Sequence, residues 1–246
     1  MNAASEIVDT PRRTLHDRLL NEWGQAIVSG AVKPGEHLPD PEGGEGQPSR
    51  TVTREVVRVL ESMGLVDVRR KAGVRVCAEE HWNIFDPQVI DWRLQGSRRV
   101  QALHELSQLR AGVEPLAARL AAGQERPDDW AQLTRAAIDM TAYSQHAAGP
   151  QYLEADERFH RALLKASGNA MFAALGDVIA SVLHGRTKLE LMPQRADAVA
   201  LRLHTDAAAY IRAGDADAAE WALRQIVDES DSAIERSSQL WRAGNQ

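Results

Sequence analysis

Apolar side chains recur along the first third of the chain with the spacing of two short helices. Between Leu15 and Ile27 they fall three or four residues apart, the period of one helix face, and Ser29-Gly30 provides an end. A second stripe runs from Val52 to Met63 and stops at Gly64. After it, LVDVRR and VRVCA place β-branched residues on both sides of KAG, a pattern typical of a β-hairpin. Helix, turn, helix and hairpin together predict a compact winged module over residues 12–79, preceded by a disordered leader over residues 1–11.

Beyond His81 the strand signal nearly disappears and alanine-rich helical patterns replace it. Apolar residues from Val100 to Leu120 form one long stripe, and further helices are predicted near 128–146, 151–167, 170–191, 196–213 and 217–241. Residues 99–246 are therefore expected to form an antiparallel helical bundle. The connecting segment, residues 80–98, contains EHWNIFDPQVIDW, which is too apolar for a loose linker and is expected to pack against the bundle. The fold class is mainly α: an N-terminal winged helix-turn-helix with a small β-hairpin, and a C-terminal antiparallel all-α bundle.

The composition of the chain limits the cellular compartment and the kinds of binding partner that can be expected. Cys77 is the only cysteine, which excludes an internal disulfide framework and a cysteine-rich zinc site and predicts a cytoplasmic protein. No run of about eighteen apolar residues is present, so no membrane span is expected. A net charge of −6 argues against a general nucleic-acid coat, yet seven basic residues face only three acidic ones between Ser49 and Arg75. This local excess indicates either a surface that contacts phosphates or a solvated helix face.

The second predicted helix has the features of a DNA-recognition helix. Ser49 is a good N-cap, and Arg50, Thr51, Thr53 and Arg54 follow in the first turn and a half, where a helix entering the major groove presents side chains to bases. An arginine fork can pair with the O6 and N7 atoms of guanine. At the hairpin tip, basic side chains can reach phosphates or the minor groove, and a glycine permits the tight turn. These hairpin candidates are Arg69, Arg70, Lys71 and Gly73.

Candidate ligand-binding residues lie in the helical half. Asp156 and His160 are one helical turn apart, so they can share a cation or form a surface ion pair. Arg110 can bind the carboxylate of a small effector or pair with Glu114 one turn further on. His184 is either a further effector or metal contact or an ordinary polar residue.

Two runs carry a resemblance to a known family. PGEHLP, followed by SRTVTREVVRVLESMGLVDVRRKAGVRV, resembles the winged helix-turn-helix of the GntR family of bacterial transcription regulators, and the helical remainder is similar to the FCD-type ligand-binding domain of its FadR subfamily. The resemblance covers nearly the whole chain. It implies a homodimer on palindromic double-stranded operator DNA, contacted by Arg50, Thr51 and Arg54, with Gly73 and its basic neighbours in the wing.

The same resemblance implies a ligand set in the bundle. Asp156 and His160 match the family's metal half-site, and His204 matches a third ligand, for a divalent cation such as zinc. Ile226 stands where the family usually has a fourth histidine. Arg110 matches an arginine that points into the bundle cavity. FDPQVIDW is similar to members that respond to sugar acids such as galactonate, so the effector is expected to be a small carboxylate of that kind.

The chain departs from the family pattern at DPEGGEGQP, residues 40–48. There the family has the first helix of its helix-turn-helix, whereas this stretch has glycines, prolines and acids and no large apolar side chain. Glycine costs about 1 kcal/mol and interior proline about 3 kcal/mol in a helix, relative to alanine. The sequence therefore predicts an irregular acidic loop over residues 40–48. Either the winged module works with this loop, or its DNA affinity is reduced; we favour a retained fold with weakened or partner-dependent DNA binding.

These observations favour a ligand-responsive DNA-binding repressor of a catabolic operon for a sugar acid or related carboxylate, released by its effector and not an enzyme. One alternative is a ligand-binding dimer with impaired DNA binding, on the evidence of residues 40–48. Another is a metal-dependent helical-bundle enzyme, because two histidines and a carboxylate also form the ligand set of non-haem iron oxygenases. The enzyme hypothesis leaves the winged module unexplained and lacks a well-spaced general base.

Overall fold

The computed structural model describes residues 14–39, 48–70, 73–189 and 191–244, with side chains described as far as Glu235. The predicted leader, Lys71 and the predicted loop over 40–48, apart from Pro48, lie outside the described residues. The chain divides into two compact units, one ending at Ile84 and the other beginning at Phe85. The sequence-based boundaries of the three segments 12–79, 80–98 and 99–246 stay predictions.

The first unit contains two helices and a hairpin. Helix α1 spans Leu15–Val28 behind a capping box formed by Thr14 and Asp17, and helix α2 spans Arg50–Ser62. The Ser49 hydroxyl accepts a hydrogen bond from the amide of Val52 at 3.3 Å and so satisfies one of the free amides at the start of α2. The buried side chains of α1 and α2 form the core of the unit where the two helices pack together.

The hairpin pairs strand β1, Val66–Arg69, with the antiparallel strand β2, Gly73–Val76. A third segment adds to it: the Gly35 amide donates to the Val76 carbonyl at 2.8 Å, and the Val76 amide donates to the Glu36 carbonyl at 3.0 Å. The sequence predicts only a turn at 32–39. Backbone pairing between segments that are far apart in the chain does not produce a periodic pattern of apolar residues, so the sequence does not reveal it. The wing is therefore anchored along both edges of β2.

Among the described residues, the second unit consists of helices and one short 3-10 turn, Ser144–His146. Its helices are α3 (Pro87–Gln95), α4 (Arg99–Ala122), α5 (Pro127–Ala142), α6 (Pro150–Ala166), α7 (Ala170–Ala174), α8 (Gly176–Lys188), α9 (Ala198–Ala213) and α10 (Ala216–Gly244). Helix α4 packs along α10, α5 packs on α6 and α9, and α6 packs on α8. Helix α3, from the apolar connecting segment, packs against α4 and α8.

Small residues determine how closely these helices approach. Ala117, Ala118 and Ala121 of α4 are fully buried and allow larger side chains such as Phe159 and Leu163 of α6 to fill the core. The helix expected over 170–191 is interrupted, because α7 ends at Ala174 and α8 begins at Gly176. A winged module with a small hairpin and a helical bundle confirm the predicted fold class. None of the helices among the described residues is long and apolar enough to cross a bilayer.

Candidate functional site

The first turns of α2 present the predicted recognition residues to solvent. Ser49, Arg50, Thr51 and Arg54 are exposed, and Thr53 is half-buried. Within the described residues, Arg50 and Arg54 have no intramolecular ion pair, whereas Arg58 on the same helix is paired with Glu55 at 2.7 Å. Two uncompensated guanidinium groups at the start of an exposed helix are suited to contact DNA.

The hairpin contributes fewer free charges than its composition suggests. Arg69 is exposed but its Nε donates to Asp67 at 2.6 Å, and Arg70 is also exposed. Arg75 instead makes a structural contact within the first unit, since its Nη1 donates to the Gly35 carbonyl at 2.6 Å. Gly73 has a φ of +72°, and a side chain there would meet the ring of His37 at 3.3 Å, so glycine suits the position.

Three candidate metal ligands come together inside the helical bundle. His160 lies one turn after Asp156 on α6, and its Nε2 is 3.3 Å from Asp156 Oδ1. His204 comes from α9, and its Nε2 is 3.7 Å from the same carboxylate oxygen. Their ligand atoms all lie within 4.8 Å of one another, and all three side chains are buried. A buried cluster replaces the alternative of a surface ion pair between Asp156 and His160.

Second contacts orient both imidazole rings. His204 Nδ1 lies 2.7 Å from the Ala200 carbonyl, which can only accept, so Nδ1 carries the proton and Nε2 keeps its lone pair. His160 Nδ1 lies 3.1 Å from Glu114 Oε2, within ion-pair distance but without the geometry of a hydrogen bond, and its Nε2 lies 3.3 Å from Asp156 Oδ1. Metal-binding histidines in proteins show this arrangement, with the outer nitrogen held by a carbonyl or carboxylate and the inner one directed at the metal.

The three residues fit a divalent cation. Among the described residues, Asp156 Oδ1 and His204 Nε2 are buried and complete no hydrogen bond, which is unfavourable unless another partner satisfies them. Ligands at about 2.0–2.1 Å from a zinc ion lie roughly 3–3.5 Å apart, close to the separations of these atoms. Ile226 lines the same cavity and offers no donor atom. The cluster therefore supplies two nitrogen ligands and one oxygen ligand.

Arg110 and Glu114 form a buried ion pair beside the cluster. Arg110 Nε donates to Glu114 Oε1 at 2.8 Å and Nη2 donates to Oε2 at 3.2 Å, so the carboxylate is held by both arms of the fork. Arg110 Nη2 also lies 3.2 Å from His160 Nε2. Glu114 thus links the predicted effector residue Arg110 to the predicted metal ligand His160.

Burial and charge shift several pKa values here. Burial alone would raise the pKa of Glu114, but the charges of Arg110 and His160 outweigh it and lower that pKa to about 2. Burial lowers the pKa of His204 to about 4, so this ring is neutral near pH 7. For His160, burial would lower the pKa, and the carboxylate of Glu114 reverses this and raises it. Burial would raise the pKa of Asp156, and the two histidines lower it.

A cavity of about 410 Å³ opens on this cluster, a volume typical of small-molecule sites. Its wall includes Arg110 and the three candidate metal ligands, together with Arg186 of α8, which sequence reasoning missed. Nothing in HGRTKLE distinguishes that buried arginine from an exposed one. The structure does not bring His184 to this cavity: its side chain is exposed, and Nδ1 contacts Glu157 Oε1 at 2.6 Å.

A winged unit with an exposed helix α2, and a helical bundle whose cavity is lined by buried charged side chains, are features expected of a ligand-responsive transcription regulator. The FCD domain family matches residues 105–229. The galactonate operon transcriptional repressor of Escherichia coli (strain K12) is 31% identical over 217 residues, which cover 87% of this chain and 94% of that protein. The chain belongs to the FCD-domain family of GntR-type transcription regulators.

Two further comparisons agree with this assignment. The uncharacterized HTH-type transcriptional regulator YieP of Escherichia coli (strain K12) is 29% identical over 168 residues, covering 68% of this chain and 73% of that protein. The solved structure of Lar, which controls the expression of the Listeria monocytogenes agr system, covers 92% of this chain and 99% of its own, with a TM-score of 0.56 and 17% identity. The similarity to Lar concerns the fold alone. The galactonate operon repressor and YieP are both named as transcription regulators, so the hypothesis of a helical-bundle enzyme is set aside.

Proposed function

We propose that this chain is a cytoplasmic repressor that binds palindromic operator DNA as a homodimer and is released by a sugar acid or a related small carboxylate. The observation that carries the effector part is the cavity, where a cluster of cation ligands lies beside buried arginine in an FCD domain. The similar repressor from Escherichia coli is described as acting on a galactonate operon, which suggests galactonate as the first effector to test.

DNA recognition is assigned to α2 and the wing. Arg50 and Arg54, which are exposed and form no ion pair with any residue that the structure describes, would reach guanine edges in the major groove, with Ser49, Thr51 and Thr53 alongside them. Arg69, Arg70 and Gly73 belong to the wing, whose basic side chains would contact phosphates or the minor groove. Lys71 is assigned to the same contacts from the sequence alone. Two copies in a dimer would read two half-sites about one helical turn of DNA apart.

Effector recognition is assigned to the cavity. Asp156, His160 and His204 would hold a divalent cation, with zinc favoured by their two nitrogens and one oxygen. A bound cation of this kind attracts carboxylate and hydroxyl oxygens as a Lewis acid. Glu114 and the Ala200 carbonyl keep the two imidazole rings oriented. An effector releases DNA only to the extent that it binds the released conformation more tightly than the DNA-bound one.

A binding titration tests the repressor proposal. Fluorescence anisotropy with labelled DNA from the intergenic region upstream of the gene is measured at several salt concentrations, because phosphate contacts make the affinity salt-dependent. We expect a complex at low salt that weakens when galactonate is added, a dimer by light scattering, and about one zinc per chain by elemental analysis. Absence of any complex at the lowest salt concentration would refute DNA binding, and metal-free protein would refute the zinc assignment.

The composition of residues 40–48 favours a second candidate, a ligand-binding dimer with weak DNA binding. Two prolines, three glycines and three acids stand there in the sequence, and acidic groups near DNA repel phosphates. Replacing this stretch by a helix-forming segment with an apolar face should increase DNA affinity if the weakness is local. Equal affinities of the two proteins would remove this candidate.

A further inference from the structure

Arg186 differs from Arg110, which is also buried in the cavity wall, in forming no ion pair with any described residue. Only 8% of the residue is exposed, and it lines the cavity from α8. Its Nε is buried without a hydrogen bond, and no ion pair is formed by its side chain in the part of the chain that the structure describes. Arg110, by contrast, is held at two points by Glu114. The cavity therefore contains one neutralised guanidinium and one that is available.

The carboxylates of Asp156 and Glu229 also line the cavity, and Arg186 forms an ion pair with neither of them in the part of the chain that the structure describes. Burial lowers the pKa of Arg186, and the nearby charge of Arg110 lowers it further, while Asp156 and Glu229 oppose this. Asp156, however, is already within 3.3 Å of His160 and 3.7 Å of His204. A buried charge without a dedicated counterion is unfavourable for the folded protein. An anionic ligand would pair with this buried guanidinium and offset the penalty. The relief of the penalty would contribute to the free energy of ligand binding.

We infer that Arg186 is the residue that binds the carboxylate of the effector, and that Arg110 is a structural arginine which holds Glu114 and, through it, His160. This inference rests on the proposed effector-responsive function and narrows the effector class to anions with a planar carboxylate, which a guanidinium fork binds at two points. The rest of the effector would lie toward the proposed cation site formed by Asp156, His160 and His204. The sequence predicted Arg110 as the effector-binding arginine, whereas the inference from the structure assigns this role to Arg186.

Calorimetric titration of the full-length protein tests the assignment, with equal zinc content in every variant. The probes are galactonate and galactitol, its uncharged counterpart with a hydroxymethyl group in place of the carboxylate. Arg186→Gln should weaken galactonate binding by about tenfold to a hundredfold, the range for a lost hydrogen bond to a charged group. Galactitol affinity should be the same in both proteins. Arg135→Gln, which removes an exposed arginine of α5 paired with Asp139, is the matched control and should leave both affinities unchanged.

A second measurement separates recognition from a structural role. Without ligand, Arg186→Gln should unfold at the same temperature as the wild-type protein or a higher one, because it removes an uncompensated buried charge. Arg186→Lys keeps the charge but loses the planar fork, so its galactonate affinity should fall between those of the other two proteins. A lower unfolding temperature of ligand-free Arg186→Gln, with unchanged galactonate affinity, would show that the arginine is structural and overturn the inference.

The failure of this inference differs from failure of the proposed function. If wild-type protein ignores galactonate but binds gluconate, lactate or citrate in a way that depends on Arg186, the inference stands and the galactonate assignment falls. If galactonate binds wild-type protein and Arg186→Gln equally well, the inference is overturned while the effector proposal stands. If none of these carboxylates binds, the inference is overturned as well, and the anisotropy titration alone decides the DNA-binding part.

Discussion

Glu114→Gln tests the buried ion pair on which the orientation of the cavity depends. The substitution keeps the shape of the side chain and removes its charge, which leaves Arg110 without its bidentate partner in a fully buried position. Breaking a buried ion pair by removing one partner costs about 3–5 kcal/mol. A unit of this size loses about 2–4 °C in Tm for each kcal/mol. The Tm of the helical unit should therefore fall by about 6–20 °C.

Loss of the Glu114 carboxylate should also weaken metal binding. His160 Nδ1 would lose the anion that it faces at 3.1 Å, and removing a group that orients a metal ligand costs about 10–100-fold in metal affinity. Thermal unfolding followed by circular dichroism on chelator-treated protein measures the first effect, and a zinc competition titration measures the second. Asp217→Asn is the control, since it removes a carboxylate from an exposed pair with Arg119. Unchanged Tm and zinc affinity in Glu114→Gln would refute the structural argument.

The remaining predictions concern pH, DNA binding, backbone geometry and the metal site. The pKa of Glu114 falls from 4.5 to about 2 on folding, so its stabilisation is present above pH 4.5 and is lost as the pH falls toward 2. In denaturation measured as a function of pH, Glu114→Gln should therefore lose less stability than the wild-type protein between pH 4.5 and pH 2. An equal loss in the two proteins would show that Glu114 is not its cause. Arg54→Ala should weaken operator binding about tenfold or more in the anisotropy assay, whereas Arg58→Ala, an arginine already paired on α2, should have the smaller effect. Gly64→Ala should destabilise the first unit by about 2–4 kcal/mol in urea denaturation, from left-handed strain and overpacking, because its φ is +73° and a Cβ would lie 2.1 Å from the His81 carbonyl oxygen. His204→Ala should abolish tight zinc binding, with retained stoichiometry counting against the three-residue site.

Local sequence was sufficient for much of the fold. The apolar stripes predicted α1 and α2, the Ser49 cap marked the start of α2, and β-branched residues around KAG predicted β1 and β2. Each of these signals acts over a few residues, because helix period, capping and turn formation depend on near neighbours. The ordered motifs also carried the family resemblance. The one-turn spacing of Asp156 and His160 indicated half of the metal cluster for the same reason.

Only the tertiary structure decided which charged side chains lie next to one another and whether they are buried. Packing of α9 against the bundle brings His204 to Asp156, and burial turns the Arg110–Glu114 spacing from an ordinary helix-surface pair into one with strongly shifted pKa values. Arg75 belongs to the predicted basic patch but donates to the Gly35 carbonyl, and Arg186 is buried without an ion pair to any described residue. Burial and partner choice depend on contacts between segments far apart in sequence, and identical residue types at identical local spacings can be solvated or enclosed. The sequence by itself therefore determined the elements and the family, and the packing of the helices determined which arginine is paired with a carboxylate and which has a buried Nε without a hydrogen bond among the described residues.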